Sequence, residues 1–401
     1  LVGAKQEKTY EGSVPLVTFG AVVAAVIAVY TIASGAIILI PTFLWSVGLI
    51  AEIDTLTYRV VWWGMGHSSQ QINVAAHVSV WYAIAALTVG AKPLSEKVSR
   101  TAFLLYACFL LIASAHHILA DPGISSNWKV FNTSYAIYLA VVASMIHGMS
   151  VPGAVEAAQR RNGFTQGMFG WLRRAPWGNP AFAGMFLSLV LFGFVGGISG
   201  VVLGAEQLNL LMHNTIYVPG HFHATVAAGT TLAFMAMTYL VVPLVFQREL
   251  ILKSWARWQP YMFGLGTFGI SMFMMGAGTL GVSRRHWDMT FTDSVLTFDY
   301  PPAAFLMMGL NGIFGVIATI GGIMFVVVIV GSVLFGKKRG AEEARLSPVV
   351  FQGRAAAIVS HNGAHTLHVP GTITLVTIFF ISFVLYYFVN WKFLSEVWPL
   401  S

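Results

Sequence analysis

Residues 212–246 read MHNTIYVPGHFHATVAAGTTLAFMAMTYLVVPLVF and include no Asp, Glu, Lys or Arg. The run exceeds the roughly 18–20 apolar residues that carry a helix across a bilayer. Backbone polar groups in hydrocarbon must pair within their own segment, which predicts a membrane-spanning helix here. His221 and His223 stand inside it. Neighbouring residues on a helix are about 100° apart, so positions i and i+2 differ by about 200°. The two imidazoles therefore leave opposite faces and cannot share one metal. Each addresses a different planar cofactor, as two hemes flanking one helix require. A His-x-His held only by hydrogen bonds is the bland alternative.

The rest of the chain has the same character. Of its 401 residues, 57% are hydrophobic and 9% charged, against about 25% charged in a soluble domain. Mean hydropathy is +0.74. An all-α polytopic transmembrane bundle is the class that fits. A β-barrel would show short alternating strands instead. Nine spans are predicted, at 15–48, 58–90, 99–120, 130–152, 180–204, 212–246, 258–282, 300–335 and 371–391. Breakers separate them: Ala91-Lys92-Pro93, Asp121-Pro122-Gly123, Gly178-Asn179-Pro180, Pro301-Pro302 and a polar loop, 337–370. With no internal repeat and no low-complexity linker, residues 1–401 read as a single core.

The net charge of +7 does not point to nucleic acid. Arg160, Arg161, Arg173, Arg174, Lys337, Lys338 and Arg339 cluster in loops, as the positive-inside rule expects, with lipid head groups as secondary partners. The single cysteine, Cys108, cannot form an internal disulfide and reads as a small core residue. A thiolate-bridged copper pair would need two cysteines and so belongs on another subunit. No C-x-x-C-H run attaches a heme covalently. The first residue is Leu and no signal peptide is visible, so the chain reads as a fragment or processed product.

Metal-binding side chains within spans are functional candidates. His67 closes the run Trp62-Trp63-Gly64-Met65-Gly66-His67, and His116-His117 ends the third predicted span. Two adjacent histidines converge on one metal only where a helix unwinds, as is expected before Pro122. With His67 they make a three-imidazole site that suits copper or iron with an open position. Arg284-Arg285 at a membrane edge suit heme propionates, or else lipid phosphates. His213 and Asn214 suit a structural ion, a propionate or simple hydrogen bonding. His77, His147 and His286 read as structural. His361, His365 and His368 share a loop without a Cys or acidic neighbour, which argues against a metal site.

These stretches resemble subunit I of the heme-copper oxidase superfamily, in the B-type branch that contains the ba-type cytochrome c oxidases. The resemblance runs nearly end to end. It takes in Leu44-Trp45-Ser46-Val47-Gly48-Leu49, the Trp62 to His67 run, His116 to Gly123 with Trp128-Lys129, and Phe169-Gly170-Trp171. It continues through Pro176 to Phe182, His213-Asn214-Thr215, Val218 to His223, and Arg284-Arg285. It implies that His67, His116 and His117 bind a non-heme copper or iron. His221 would be the ligand of a high-spin heme and His223 one ligand of a low-spin heme, with Arg284 and Arg285 on propionates. It also implies a cupredoxin-type or cytochrome c electron donor, further subunits, and the prokaryotic cytoplasmic membrane. The family's second low-spin ligand lies on an early span, and roughly four such spans are missing here, to be provided either by another chain or by a stretch absent from this sequence.

The departures from the family bear on the substrate. The oxidases place a tyrosine four residues after the first metal-binding histidine, and this chain has Gln71 there. Position i+4 lies one turn along the same helix face. The other known tyrosine position is occupied by Leu110, and Tyr106 lies a turn further away. Val78, Ala143 and Ile146 stand where the family's proton path is polar, while Tyr82 on that path is retained. The superfamily's nitric oxide reductases lack the tyrosine, and many have a carboxylate at the i+4 position, of which Gln71 is the neutral relative. The expectation is therefore reduction of nitric oxide to nitrous oxide at a high-spin heme/non-heme metal centre. Reduction of dioxygen with proton translocation is the alternative. A proton-relaying transporter or a plain electron-carrying cytochrome b are lesser ones.

Overall fold

The computed structural model describes residues 13–286, 288–340 and 368–397. Eight helices among them are long and apolar enough to cross a membrane. They are α1 (Leu16–Ser46), α2 (Thr55–Val89), α4 (Ser126–Arg161), α5 (Pro180–Gly204), α7 (Tyr217–Val245), α8 (Lys253–Thr279), α9 (Pro302–Phe335) and α10 (Pro370–Val389). Two shorter helices are α3 (Glu96–Leu105) and α6 (Glu206–Met212). The ends follow local chemistry. Asn179 accepts from the Ala181 and Phe182 N–H groups at the start of α5, directly before Pro180. Its side chain thus satisfies donors that lack an intrahelical partner. Asp54 does the same for Leu56 and Thr57 at the start of α2.

The expected span 99–120 is not one continuous helix. It is helical from Glu96 through a π-turn at Tyr106–Leu110, then unwinds and resumes only as the 3₁₀ turn Ala115–His117. Further π-turns interrupt α4 at Asn132–Ala136, α5 at Phe192–Gly197 and α7 at His223–Thr231. Such turns cluster at functional sites because they displace backbone groups from the regular ladder. One of them corrects an expectation. Cys108, read above as a core residue, lies exposed on the outer side of the Tyr106–Leu110 turn, while Tyr106 and Leu110 point inward.

The chain forms two compact units, each assembled from distant segments. The first takes its described residues from Leu1–Ser79, Ser95–His147 and Gly200–His213. Here α1 and α2 meet along small residues. Thr31 donates to Ser68 across the seam at 2.7 Å, and a Cβ on Gly64 would stand 3.3 Å from the Tyr30 hydroxyl. Close backbone approach of this kind holds apolar helices together in lipid.

The second unit takes its described residues from Val80–Leu94, Gly148–Ser199 and Asn214–Ser401. The tight point between α8 and α9 is Gly266, where an added Cβ would stand 2.7 Å from the Ala318 methyl. The start of α10 is held by the fully buried Glu156 of α4. Its carboxylate accepts from the Gly371 and Thr372 N–H groups at 3.1 and 2.6 Å and pairs with Arg160 at 2.8 Å. Most of the 337–370 loop lies outside the described residues, as do His361 and His365.

Gly266→Val is expected to force α8 and α9 apart. The cost of overpacking is about 1–3 kcal/mol, read as a lower midpoint of thermal unfolding in detergent. An unchanged midpoint would show that the seam yields.

Candidate metal and cofactor site

His67 projects from α2 within the first unit, and His116 and His117 project from the 3₁₀ turn beyond α3. One ring nitrogen from each of the three lies within 4.8 Å of the others. The unwinding that sequence required for adjacent histidines to converge is therefore present. It occurs directly after Leu110, well before Pro122.

Two asparagines hold the unwound segment. Asn132, in the π-turn of α4, accepts from the Ala115 N–H at 3.0 Å. Asn209 of α6 donates to the His116 carbonyl at 2.8 Å and to Leu203 O at 2.7 Å. Trp63 stacks on the His117 ring at 4.0 Å with the planes 5° apart. Arg59, one turn before Trp63, binds Asp121 and so ties the Asp121-Pro122-Gly123 turn to α2.

Backbone and hydroxyl acceptors decide which nitrogen of His67, His221 and His223 keeps a lone pair. His67 Nε2 lies 2.9 Å from the Leu110 carbonyl. A carbonyl only accepts, so Nε2 carries the proton and Nδ1 keeps a lone pair. That Nδ1 lies 3.3 Å from His117 Nε2, on the side of the trio. Metal-bound histidines are typically fixed in this way by a bond from their other nitrogen.

The same logic operates in the second unit. Ser199 Oγ donates to the Val195 carbonyl, so it accepts from His221 Nδ1 at 2.9 Å. His223 Nδ1 donates to the Pro219 carbonyl at 2.8 Å. In both rings Nε2 therefore keeps a lone pair.

Arg284 and Arg285 are placed by backbone pairing. Ile216 N–H donates to Val282 O at 2.8 Å and Arg284 N–H to Asn214 O at 2.6 Å. The pairing brings both arginines beside the start of α7. Arg284 is half-buried. Arg285 is exposed, with a left-handed φ of 67°. In the first unit His213 ends α6 and is half-buried. Gln71 lies half-buried one turn beyond His67, and no hydrogen bond joins its amide to a described residue. His286 bonds Ser283 O, and His77 and His147 are fully buried.

The donor sets fit the cofactors expected above. Three imidazoles with converging ring nitrogens suit copper or iron, and the two Nε2 lone pairs of His221 and His223 suit heme iron. Buried polar atoms without a protein partner also surround these positions. They are Trp63 Nε1, Trp128 Nε1 and Asn209 Oδ1 in the first unit and Ser283 Oγ in the second. Such atoms fit a cofactor with polar edges.

Sequence reasoning missed Asn132, Asn209, Ser199 and the Leu110 carbonyl. A lone Asn or Ser in a helix has no distinguishing pattern, and a backbone carbonyl has none at all.

The family model described as Cytochrome C and Quinol oxidase polypeptide I matches residues 1–324. Cytochrome c oxidase subunit 1 of Thermus thermophilus is 32% identical over 315 residues, 77% of this chain and 53% of the relative. Cytochrome c oxidase polypeptide 1 of Halobacterium salinarum is 24% identical over 247 residues, 59% of this chain and 37% of the relative. A chain from a cryo-EM structure described as a heme-copper terminal oxidase dimer superposes with a TM-score of 0.77 at 28% identity. That match covers 95% of this chain and 66% of the other. The chain thus spans about half the length of the Thermus relative.

Asn132→Leu is expected to strand the Ala115 N–H and loosen the histidine turn. Loss of such a supporting contact lowers metal affinity about 10–100-fold, measured as copper and iron content after dialysis against a chelator. Metal retention equal to the parent would remove Asn132 from the site.

Proposed function

Since this chain belongs to the cytochrome c and quinol oxidase polypeptide I family, we propose that it is the heme-bearing catalytic core of a membrane terminal reductase. His67, His116 and His117 would hold a non-heme copper or iron. His221 would hold a high-spin heme and His223 a low-spin heme, with Arg284, Arg285 and His213 at propionates. Heme and metal supply electrons and open coordination positions for a small gas molecule. The protein's own contribution is to fix the His67, His221 and His223 rings by their second nitrogens and to keep the cofactors in apolar surroundings. A cupredoxin-type or cytochrome c protein would deliver electrons, further subunits would complete the complex, and the prokaryotic cytoplasmic membrane would house it.

The substrate we propose is nitric oxide, and Gln71 carries that reading. Gln71 stands one turn beyond His67, and His67 Nε2 is engaged by the Leu110 carbonyl. A glutamine amide cannot furnish an electron and a proton as a tyrosine can. Two nitric oxide molecules need only two electrons and two protons to give nitrous oxide and water. The half-buried amide can donate a hydrogen bond to a bound gas molecule. A second reading, reduction of dioxygen to water, has its own support in the names of the relatives, which are cytochrome c oxidases.

The purified complex with excess reductant is expected to convert nitric oxide to nitrous oxide faster than it consumes dioxygen. Rapid water formation with no nitrous oxide would favour the second reading. Gln71→Tyr is expected to raise dioxygen consumption. His221→Ala is expected to remove the high-spin heme absorbance and leave the low-spin signal, with His223→Ala doing the reverse. Simultaneous loss of both signals in each variant would contradict the separate faces.

A further inference from the structure

In the second unit a tight turn before α5 is braced against the start of α8. Tyr261 of α8 donates its hydroxyl hydrogen to the Trp177 carbonyl at 2.8 Å. The Arg257 guanidinium lies beside Gly178, where an added Cβ would stand 3.7 Å from its Nε. Arg173 and Arg174 lead into the same turn, and all three arginines are exposed. The backbone that carries Arg173 and Arg174 is fixed from α4, since Gln159 donates to the Trp171 and Arg174 carbonyls. The Trp177 indole adds a bond to the Leu172 carbonyl at 2.7 Å.

No carboxylate answers these charges. Arg173, Arg174 and Arg257 make no ion pair among the described residues. Glu156 and Glu249, the acidic residues on the adjoining segments, are already taken by Arg160 at 2.8 Å and Lys253 at 3.8 Å. Grouped like charges repel one another, so the set suits an anion with several oxygens. Guanidinium groups bind phosphate through paired N–H donors.

The surface beside the arginines is aromatic and apolar. Trp255 and Trp258, in the first turns of α8, are 44% and 60% exposed. Tryptophans in such places sit at the level of lipid head groups. Beyond Trp258 the exposed Leu265, Phe268 and Met272 follow at spacings of seven, three and four, which keeps them on one face of α8. From Trp258 to Met272 the stripe runs about 21 Å at roughly 1.5 Å per residue. One leaflet offers about 15 Å of hydrocarbon, half of the bilayer core. An acyl chain can therefore lie along the stripe while its head group stays at the arginines. A free phosphate ion would leave the stripe unused.

We propose that the Trp177-Gly178 turn and the start of α8 form a binding site for one anionic phospholipid. Its phosphate sits at Arg257 and Arg174, Arg173 adds charge at the rim, and an acyl chain follows the Trp258 to Met272 face. The basic loops mark this end as cytoplasmic, the leaflet whose surface anionic lipids make negative. The site needs neither heme nor metal and so stands apart from the functional reading above.

The test takes the assembled complex, stripped of lipid in detergent, and counts bound phospholipid by native mass spectrometry. Phosphatidylglycerol and phosphatidylcholine are titrated separately, each with and without excess inorganic phosphate. Phosphatidylglycerol is expected to fill one tight site per chain that phosphatidylcholine fills only weakly, and inorganic phosphate is expected not to displace it. An arginine near a head group changes affinity about fivefold, so Arg174→Gln combined with Arg257→Gln is expected to weaken the site about 25-fold. The heme absorbance spectrum and unfolding midpoint of that variant are expected at parental values. In native membranes, photoactivated Trp255→p-benzoylphenylalanine is expected to attach phospholipid. Attachment to another polypeptide would overturn the proposal, because the face would then be a subunit contact. Equal affinity for the two lipids would overturn it as well, as would parental affinity in the double variant. Displacement by inorganic phosphate would reduce the site to an ion site, and lipid loss accompanied by a changed spectrum or midpoint would make the arginines structural; either result overturns the proposal.

Discussion

In lipid, a backbone N–H or C=O that leaves the helical ladder must find another partner. The chain meets that requirement between Leu110 and His117, beyond the π-turn that follows α3. The Leu110 carbonyl takes a bond from His67, the Ala115 N–H finds Asn132, and the His116 carbonyl finds Asn209. Each bond that settles the broken helix also positions part of the histidine trio. Convergence of His116 and His117 is therefore not separable from the folding of the first unit. An unwound segment without these partners would leave buried polar groups unpaired, at about 1–3 kcal/mol each.

The same economy governs the two units independently. In the first, a carbonyl fixes the tautomer of His67. In the second, Ser199 and the Pro219 carbonyl fix those of His221 and His223. Three rings are thus oriented by protein acceptors, each with its other nitrogen free of those acceptors. If they bind metal as proposed, that orientation lowers the cost of loading. The π-turns contribute directly, since Leu110 ends one, Asn132 opens another and His223 opens a third.

Much of this was legible in the sequence, for reasons that can be named. The apolar runs stood out because a bilayer needs about 18–20 residues. The placing of His221 and His223 together on one apolar span followed from hydropathy alone. The need for an unwound segment at His116-His117, before Pro122, was also readable and is met. That the helix already ends after Leu110 was not, because the stabilising partners come from Asn132 and Asn209, on other segments. Periodicity sees only a chain's own neighbours. For that reason Cys108 looked like core and is exposed, and the range 99–120 looked like one span and is not.

Glu156 shows a different kind of economy. The first turn of α10 takes its position from a carboxylate on α4, more than 200 residues earlier in the sequence. The anchor is the buried ion pair with Arg160 together with two backbone bonds. The place of α10 is therefore written in part on α4, and a change at one carboxylate would be felt far along the sequence.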